Sequence, residues 1–235
     1  GDPPRFTRSS RMYVDTSALP SAPAGGRAAA AASGITFTCD PTVAAVVGVC
    51  DALNTKIAGL YASTFANANA NIYIKLGDTG LGQSQSYYTA TSYANFRGAL
   101  ERRLTSPNDI TAFTKNVPPI SPFDSSFRVV LTSALAGALG RTQFGIKPDT
   151  TSCTIGTTDC YDGIVTISSA MQSAGRLYYR TGGSIGSNQY DFYTVVEHEV
   201  DEILGTTSCA FCDDDVFTPA DLFRYHSDGT RSFAA

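Results

Sequence analysis

Residues 191–205, DFYTVVEHEVDEILG, form the most informative stretch of this 235-residue chain. Their apolar side chains recur at the three- and four-residue spacing of an α-helix with one buried face. The residues of this apolar stripe are Phe192, Val196, Val200 and Ile203, with Leu204 beside it. Asp191 suits the start of a helix, and Gly205 suits its left-handed end. The stretch therefore predicts a helix that packs one face into a core and presents a polar face on the other side.

The polar face of this helix carries His198, Glu199 and Glu202. Residues four apart lie one above the other on a helix, so His198 and Glu202 can bind one metal ion through an imidazole nitrogen and a carboxylate oxygen. Glu199 lies beside this pair, where it can accept a proton from a metal-bound water. The alternative is an ordinary solvated face, since short motifs match by chance. The buried stripe favours the metal site, because polar groups on a half-buried helix need partners.

Composition and charge exclude several classes of function. The net charge is −4, the charged fraction is 16%, and no basic patch indicates nucleic-acid binding. No apolar run approaches the length of a membrane span. Residues 1–34 are rich in Pro, Ala, Gly and Ser in their second half, which predicts an extended arm or linker. We expect residues 35–235 to form one domain and the protein to be a monomer; because the chain starts at Gly1 rather than Met, we expect a mature or trimmed form.

The cysteines fall into three local pairs and predict an oxidising compartment. The expected disulfides are Cys39–Cys50, Cys153–Cys160 and Cys209–Cys212. For the last pair, a structural zinc site is the alternative, but a second Cys-x-x-Cys or a Cys/His pair at matching spacing is missing. The pattern therefore favours disulfides and a secreted protein.

The remaining patterns predict a sheet backed by helices. Strands are expected over residues 35–38, 72–76, 127–131 and 164–167, and helices over residues 43–65, 92–104, 132–140 and 191–204. Residues 81–91 are expected to be a polar loop. Tyr73 and Lys75 are expected on an edge strand against which an extended peptide could pair. This order of elements is typical of an α+β domain.

The helix motif and the order of elements resemble the zincin metalloproteases, and in particular a group of secreted zincin-like metalloproteases with an HExxE motif. The resembling segments are residues 57–61, 71–74, 79–82, 162–165, 197–205 and 221–225. The resemblance implies a twisted mixed sheet backed by helices, with an active-site helix. It also implies a secreted zinc-dependent endopeptidase that acts on proteins or peptides, with Glu199 as general base. Such proteins carry more chain after the last segment, so Ala235 is expected to be a truncated or processed end.

Two positions depart from the related patterns, and the third metal ligand must come from elsewhere. Zincins carry His where this chain has Glu202, and metzincins place a third His where it has Ser208. Asp221 follows Glu202 by nineteen residues, about where gluzincins place a glutamate. Its alternative is a capping box in residues 218–221, with Pro at the first helical position. His226 is the other candidate, and its alternative is a plain turn histidine.

Other polar residues offer weaker candidates. Arg224 and Tyr225 could donate hydrogen bonds to the oxyanion of peptide hydrolysis, or they could simply pair and pack within the fold. Residues 213–215 are all aspartate and could bind Ca²⁺, although such runs are usually solvated loops. The alternative function for the whole chain is a catalytically inactive, secreted binding or surface protein with a zincin fold.

Overall fold

The chain folds around one mixed β-sheet. The structure is a computed structural model, and it describes residues 10–15, 34–65, 68–123, 126–141, 143–208 and 215–232. In the order of pairing, the strands of the sheet are β11 (Val216–Phe217), β5 (Arg128–Thr132), β4 (Gly82–Ser92), β8 (Gly163–Ser168), β3 (Ala70–Gly77) and β2 (Ile35–Cys39), while β1 (Ser10–Asp15) also pairs with β4. Strand β4 is antiparallel to β5 and β8, and the other pairs are parallel. The mixed sheet with helices agrees with the predicted α+β class.

Helices and two small strand pairs complete the described fold. The helices are α1 (Pro41–Ala44), α2 (Val49–Ala52), α3 (Ala58–Thr64), α4 (Tyr93–Glu101), α5 (Pro107–Asn116), α6 (Ser133–Ala138), α7 (Ser169–Ser173) and α8 (Phe192–Ile203), with a π-helical turn at Leu53–Ile57 and a 3-10 helix at Pro219–Phe223. The small pairs are β6 (Phe144–Ile146) with β7 (Ser152–Thr154), and β9 (Leu177–Tyr178) with β10 (Tyr190–Asp191). No described helix is long and apolar enough to cross a membrane.

The predicted polar loop over residues 81–91 is wrong, because residues 82–92 form β4, the longest of the described strands. Its side chains do not alternate between apolar and polar, which is the usual signal for a strand. Instead, Ser84 and Ser86 are buried and each makes a hydrogen bond inside the protein. A buried hydroxyl is tolerated when it has such a partner.

The edge-strand prediction for Tyr73 and Lys75 is also wrong. Both residues lie on β3, which pairs with β2 on one side and with β8 on the other. Pairing with β8 covers both residues, and pairing with β2 covers Tyr73 and ends at Ile74. The Tyr73 ring packs against that of Tyr161, with 5.3 Å between ring centroids.

The helix expected over residues 43–65 exists but is interrupted. Gly48 has a φ of +76°, a left-handed conformation that glycine adopts without the steric cost of a Cβ atom. The chain turns there between α1 and α2. From Val49 it then continues through the π-helical turn into α3.

Polar side chains cap the starts of three predicted helices. The side chain of Ser92 caps α4, that of Thr132 caps α6, and that of Asp191 caps α8 by accepting from the Thr194 N–H at 3.0 Å. The patterns do not predict α5, which carries a capping box at Ser106 and buries only Phe113 fully. So few buried residues leave little helical periodicity to detect.

The core and the cysteines match the remaining predictions. The apolar stripe of α8 is buried, and it packs with β3, β8 and α3 in the largest hydrophobic cluster. Disulfides Cys39–Cys50 and Cys153–Cys160 are present. The predicted Cys209–Cys212 pair lies outside the described residues. Of the predicted N-terminal arm, the structure describes only residues 10–15, as strand β1, and Gly34.

Candidate metal centre

Two glycines allow α8 to lie close to the sheet. A Cβ atom on Gly163 of β8 would lie 2.6 Å from Cδ1 of Ile203. A Cβ atom on Gly82 of β4 would lie 2.5 Å from Oε1 of Glu199 and 2.8 Å from Cγ1 of Val195. Ordinary contacts are longer than this, so only glycine leaves room for the helix at these positions. As a result, the motif residues of α8 face the first residues of β4.

Glu199 is buried beneath the motif, with 1% of its surface exposed. Among the described residues, no group makes a hydrogen bond of good geometry to either carboxylate oxygen. Burial, and after it the charge of Glu202, raises the pKa of Glu199 to about 8, while the nearby N–H and hydroxyl of Ser84 offset part of this rise. A buried carboxylate needs a proton or a cation to compensate for lost hydration. The raised pKa means that a proton can supply this compensation at neutral pH.

His198 and Glu202 lie one helical turn apart on the solvent side of Glu199. His198 Nε2 and Glu202 Oε1 are 3.9 Å apart, and the two side chains are 47% and 28% exposed. Two ligands at zinc-bond lengths in a tetrahedral site are separated by about 3.4 Å. The pair has the one-turn spacing expected of two ligands of one metal ion, and metal binding by the pair stays a prediction.

Ser84 is a site residue that the sequence analysis missed. Its hydroxyl donates a hydrogen bond to Oε2 of Glu202 at 2.5 Å, although it belongs to the segment predicted as a loop. The alternation of side-chain sizes along this segment is a sequence signal for the strand. The small residues Gly82, Ser84 and Ser86 alternate with the larger Gln83, Gln85 and Tyr87, which is a period of two.

Asp221 is buried and caps the 3-10 helix. Its Oδ2 accepts from the N–H of Thr218 at 2.8 Å and from the Thr218 hydroxyl at 3.0 Å. Its Oδ1 accepts from the Ser208 hydroxyl at 2.5 Å. The capping interpretation of Asp221 is therefore confirmed, while its role as a metal ligand stays a prediction.

The remaining predicted site residues are His226, Arg224 and Tyr225. His226 lies in an exposed turn, where its N–H donates to the carbonyl of Thr230 at 2.8 Å. Arg224 Nη1 lies 3.4 Å from Oγ of Ser208 and 3.9 Å from Oδ1 of Asp221. The Tyr225 hydroxyl donates to Oδ1 of Asn116 at 2.6 Å, at the end of α5.

The structure thus brings together His198, Glu199, Glu202 and Ser84. Within the described ranges, no group of three or more His, Cys, Asp or Glu side chains is arranged to hold a metal ion, so neither Asp221 nor His226 joins the pair as a third ligand there. Of the aspartates considered for Ca²⁺, Asp213 and Asp214 lie outside the described residues, and Asp215 is exposed. The Ca²⁺ site stays a prediction.

Comparison with known proteins assigns no family to the chain. No family model matches it, and neither does any curated protein or solved structure at the threshold of significance. The zincin resemblance therefore depends on the motif helix and on the order of elements.

Proposed function

We propose that this protein is a secreted zinc-dependent endopeptidase of the zincin type. In this proposal His198 and Glu202 bind zinc, and Glu199 is the general base. The observation that supports it best is the carboxylate of Glu199, buried without a hydrogen-bond partner among the described residues, beside an imidazole and a carboxylate one helical turn apart. Two disulfides support secretion.

The third protein ligand is proposed to be Asp221 or His226. Catalytic zinc sites use three protein ligands and leave one position open. Asp221 would have to exchange hydrogen bonds from Ser208 or Thr218 for the metal. His226 is exposed in a turn near the C-terminal end of the described chain. Arg224 and Tyr225 are proposed as donors to the oxyanion, which would require them to leave their present partners.

A bound zinc ion would polarise the scissile carbonyl and make a water molecule more acidic. Glu199 would accept the proton of that water and deliver it to the leaving amine. Its raised pKa favours the protonated form at neutral pH, and a nearby cation would favour the ionised form that a base requires. Glu202 adds negative charge where zincins carry imidazole, so we expect the water to be less acidic and activity to favour higher pH.

The alternative is a secreted zincin-fold binding or surface protein that does not hydrolyse peptides. It is favoured by the finding that His198 and Glu202 have no third ligand within the described ranges. A chain that binds no zinc and cleaves no peptide would support this alternative.

The substitution Glu199→Gln tests the proposed function. The amide keeps the shape of the side chain but cannot accept a proton, so we expect hydrolysis of an unstructured protein such as casein to fall by about 10²–10⁴-fold with zinc still bound. The matched control is Glu197→Gln, two residues away on α8 and outside the pair. We expect Glu197→Gln to keep the peptidase activity of the native protein. A chelator should abolish this activity. Full activity in Glu199→Gln would show that Glu199 is not the base.

A further inference from the structure

We infer that Ser84 is a positioning residue that holds Glu202 in the orientation required to bind the metal. This inference rests on the proposed function and adds a residue from β4 to a site otherwise built from α8. The Ser84 hydroxyl is 2.5 Å from Oε2 of Glu202, and the other carboxylate oxygen, Oε1, faces Nε2 of His198. One oxygen is thus held by the sheet while the other points to the second ligand.

The hydrogen bond matters because Glu202 is a long and partly exposed side chain. A glutamate in such a place loses rotamer freedom when it binds a metal, and that loss opposes binding. Ser84 is 2% exposed and has only one side-chain rotor. A donor of this kind orders the carboxylate before the metal arrives, which is the effect of preorganisation.

The strand holds Ser84 firmly in place. In the antiparallel ladder of β4 and β8, Ser84 pairs with Val165 and Gly82 pairs with Ile167. Gly82 lies against Glu199, while Ser84 bonds Glu202 and also lies near Glu199, so this strand contacts both glutamates of α8. Sites supported by regular elements are more precise than sites on loops.

A ligating carboxylate generally needs a hydrogen-bond partner of its own. Loss of such partners typically weakens metal binding by about 10–100-fold. Ser84 is the partner that the structure gives to Glu202, and a hydroxyl donor suits a carboxylate directly. Ser84 and Glu202 are therefore expected to act as a unit in binding zinc.

A double-mutant cycle in zinc affinity tests this role. Zinc dissociation constants would be measured by competition with a chromophoric chelator for the native protein, Ser84→Ala, Glu202→Gln and the double variant. We expect Ser84→Ala to bind zinc about 10–100-fold more weakly than the native protein. In the Glu202→Gln background the same change should have less than about a threefold effect, because the carboxylate it orients is gone.

Ser86→Ala is the matched control. Ser86 lies two residues along the same strand, is equally buried, and donates at 3.2 Å to the backbone carbonyl of Asp162 instead of to Glu202. We expect this control to keep zinc affinity within about threefold of the native value. If Ser84→Ala does not fold, Ser84→Thr and Ser84→Val form a second matched pair of equal shape, of which only Thr keeps the hydroxyl.

Unfolding by urea without metal separates this inference from the proposed function. With zinc removed, the destabilisations caused by Ser84→Ala and Glu202→Met should be non-additive if the two side chains are paired, because methionine, unlike glutamine, keeps no oxygen to accept from Ser84. Additive effects, or unchanged zinc affinity in Ser84→Ala, would contradict the role of Ser84 while leaving the zinc site standing. A native protein that binds no zinc would instead contradict the proposed function, and with it the metal-orienting role, even where the two side chains prove to be coupled.

Discussion

The carboxylate of Glu199 packs directly against Gly82 of β4. This close fit leaves no room for a larger side chain on β4. Tight packing of this kind is sensitive to a single added methyl group. The site is therefore expected to respond to changes on the strand as well as on the helix.

Gly82→Ala should destabilise the fold. Its new Cβ would lie within 3 Å of side-chain atoms of both Glu199 and Val195, so these side chains or the elements that carry them must shift. We expect the free energy of unfolding to fall by about 1–3 kcal/mol, measured by urea denaturation. Gly59→Ala on α3 is the control, because a Cβ atom there meets open space and alanine favours a helix. Equal stability in Gly82→Ala and the native protein would show that the helix is not held so closely.

The sequence predicts the site residues of α8 but not their partners. His198, Glu199 and Glu202 lie in one short motif, and helical periodicity alone places them on neighbouring faces. Ser84 and Gly82 lie more than a hundred residues earlier, in a strand without apolar alternation. Contacts of such long range depend on the packing of the whole sheet, which local patterns do not encode.

Helix α8 is anchored to α3 by one tyrosine. The Tyr61 hydroxyl donates to Oδ1 of Asp201 at 2.7 Å and also lies 3.0 Å from the carbonyl oxygen of Glu197. Burial, with a smaller contribution from Asp201, raises the pKa of Tyr61, so the phenol stays protonated as a donor. This contact joins the long backing segment to the helix that carries the motif.

Tyr61→Phe should weaken this connection without opening a cavity. Loss of the hydroxyl removes a hydrogen bond to a carboxylate, and because Asp201 is exposed we expect a loss of about 1–2 kcal/mol in the free energy of unfolding. Tyr87→Phe serves as the comparison, because the Tyr87 hydroxyl makes only a long 3.3 Å contact with the Thr150 carbonyl. A change below about 0.5 kcal/mol in Tyr61→Phe would contradict the anchoring role.

The carboxylate of Asp162 bonds to residues of two elements, and its raised pKa predicts that the stability of the fold depends on pH. Its carboxylate accepts from the Ser133 hydroxyl and from the N–H of Asn71. Burial raises its pKa, and these two hydrogen bonds offset only part of the rise. Because the folded pKa lies above the unfolded value of 3.8, Asp162 stabilises the fold fully below that value and loses this contribution as pH rises through the folded pKa.

Asp162→Asn should therefore gain stability relative to the native protein as pH rises from about 4 to about 7, because asparagine does not titrate. Asp109→Asn should instead lose stability relative to the native protein as pH rises. Hydrogen bonds, first from the backbone of Thr105 and then from that of Ser106, lower the pKa of Asp109, so its contribution is present above 3.8 and lost as pH falls. Urea unfolding at several pH values checks both. Parallel curves for Asp162→Asn and the native protein would contradict the prediction.

Elements with strong local signals are predicted well. Strands β3, β5 and β8 are short apolar runs, and α4, α6 and α8 begin at capping residues. The π-helical turn after α2 cannot be read from the sequence, since its apolar residues still recur at near-helical spacing. Strand β4 escapes prediction because hydrogen bonds, rather than apolar contacts, bury its serines.

For the molecule as a whole, one mixed sheet and its helices carry α8 with the motif. The two described disulfides close loops near β2 and around β7, where each is expected to contribute about 2–3 kcal/mol by restricting the unfolded chain. The order of the predicted elements indicates the α+β class, and the cysteine spacing predicts the two described disulfides. The arrangement of strands around β4 comes from the structure alone.

Metal content tests the zinc site most directly. Elemental analysis of the purified chain should find about one zinc ion per native molecule and about one in Glu202→His, since imidazole reaches the same position on the helix. His198→Ala and Glu202→Ala should lose most of it, because the few remaining protein ligands rarely hold zinc. A native chain without zinc, or full zinc content in both alanine variants, would contradict a metal site formed by His198 and Glu202.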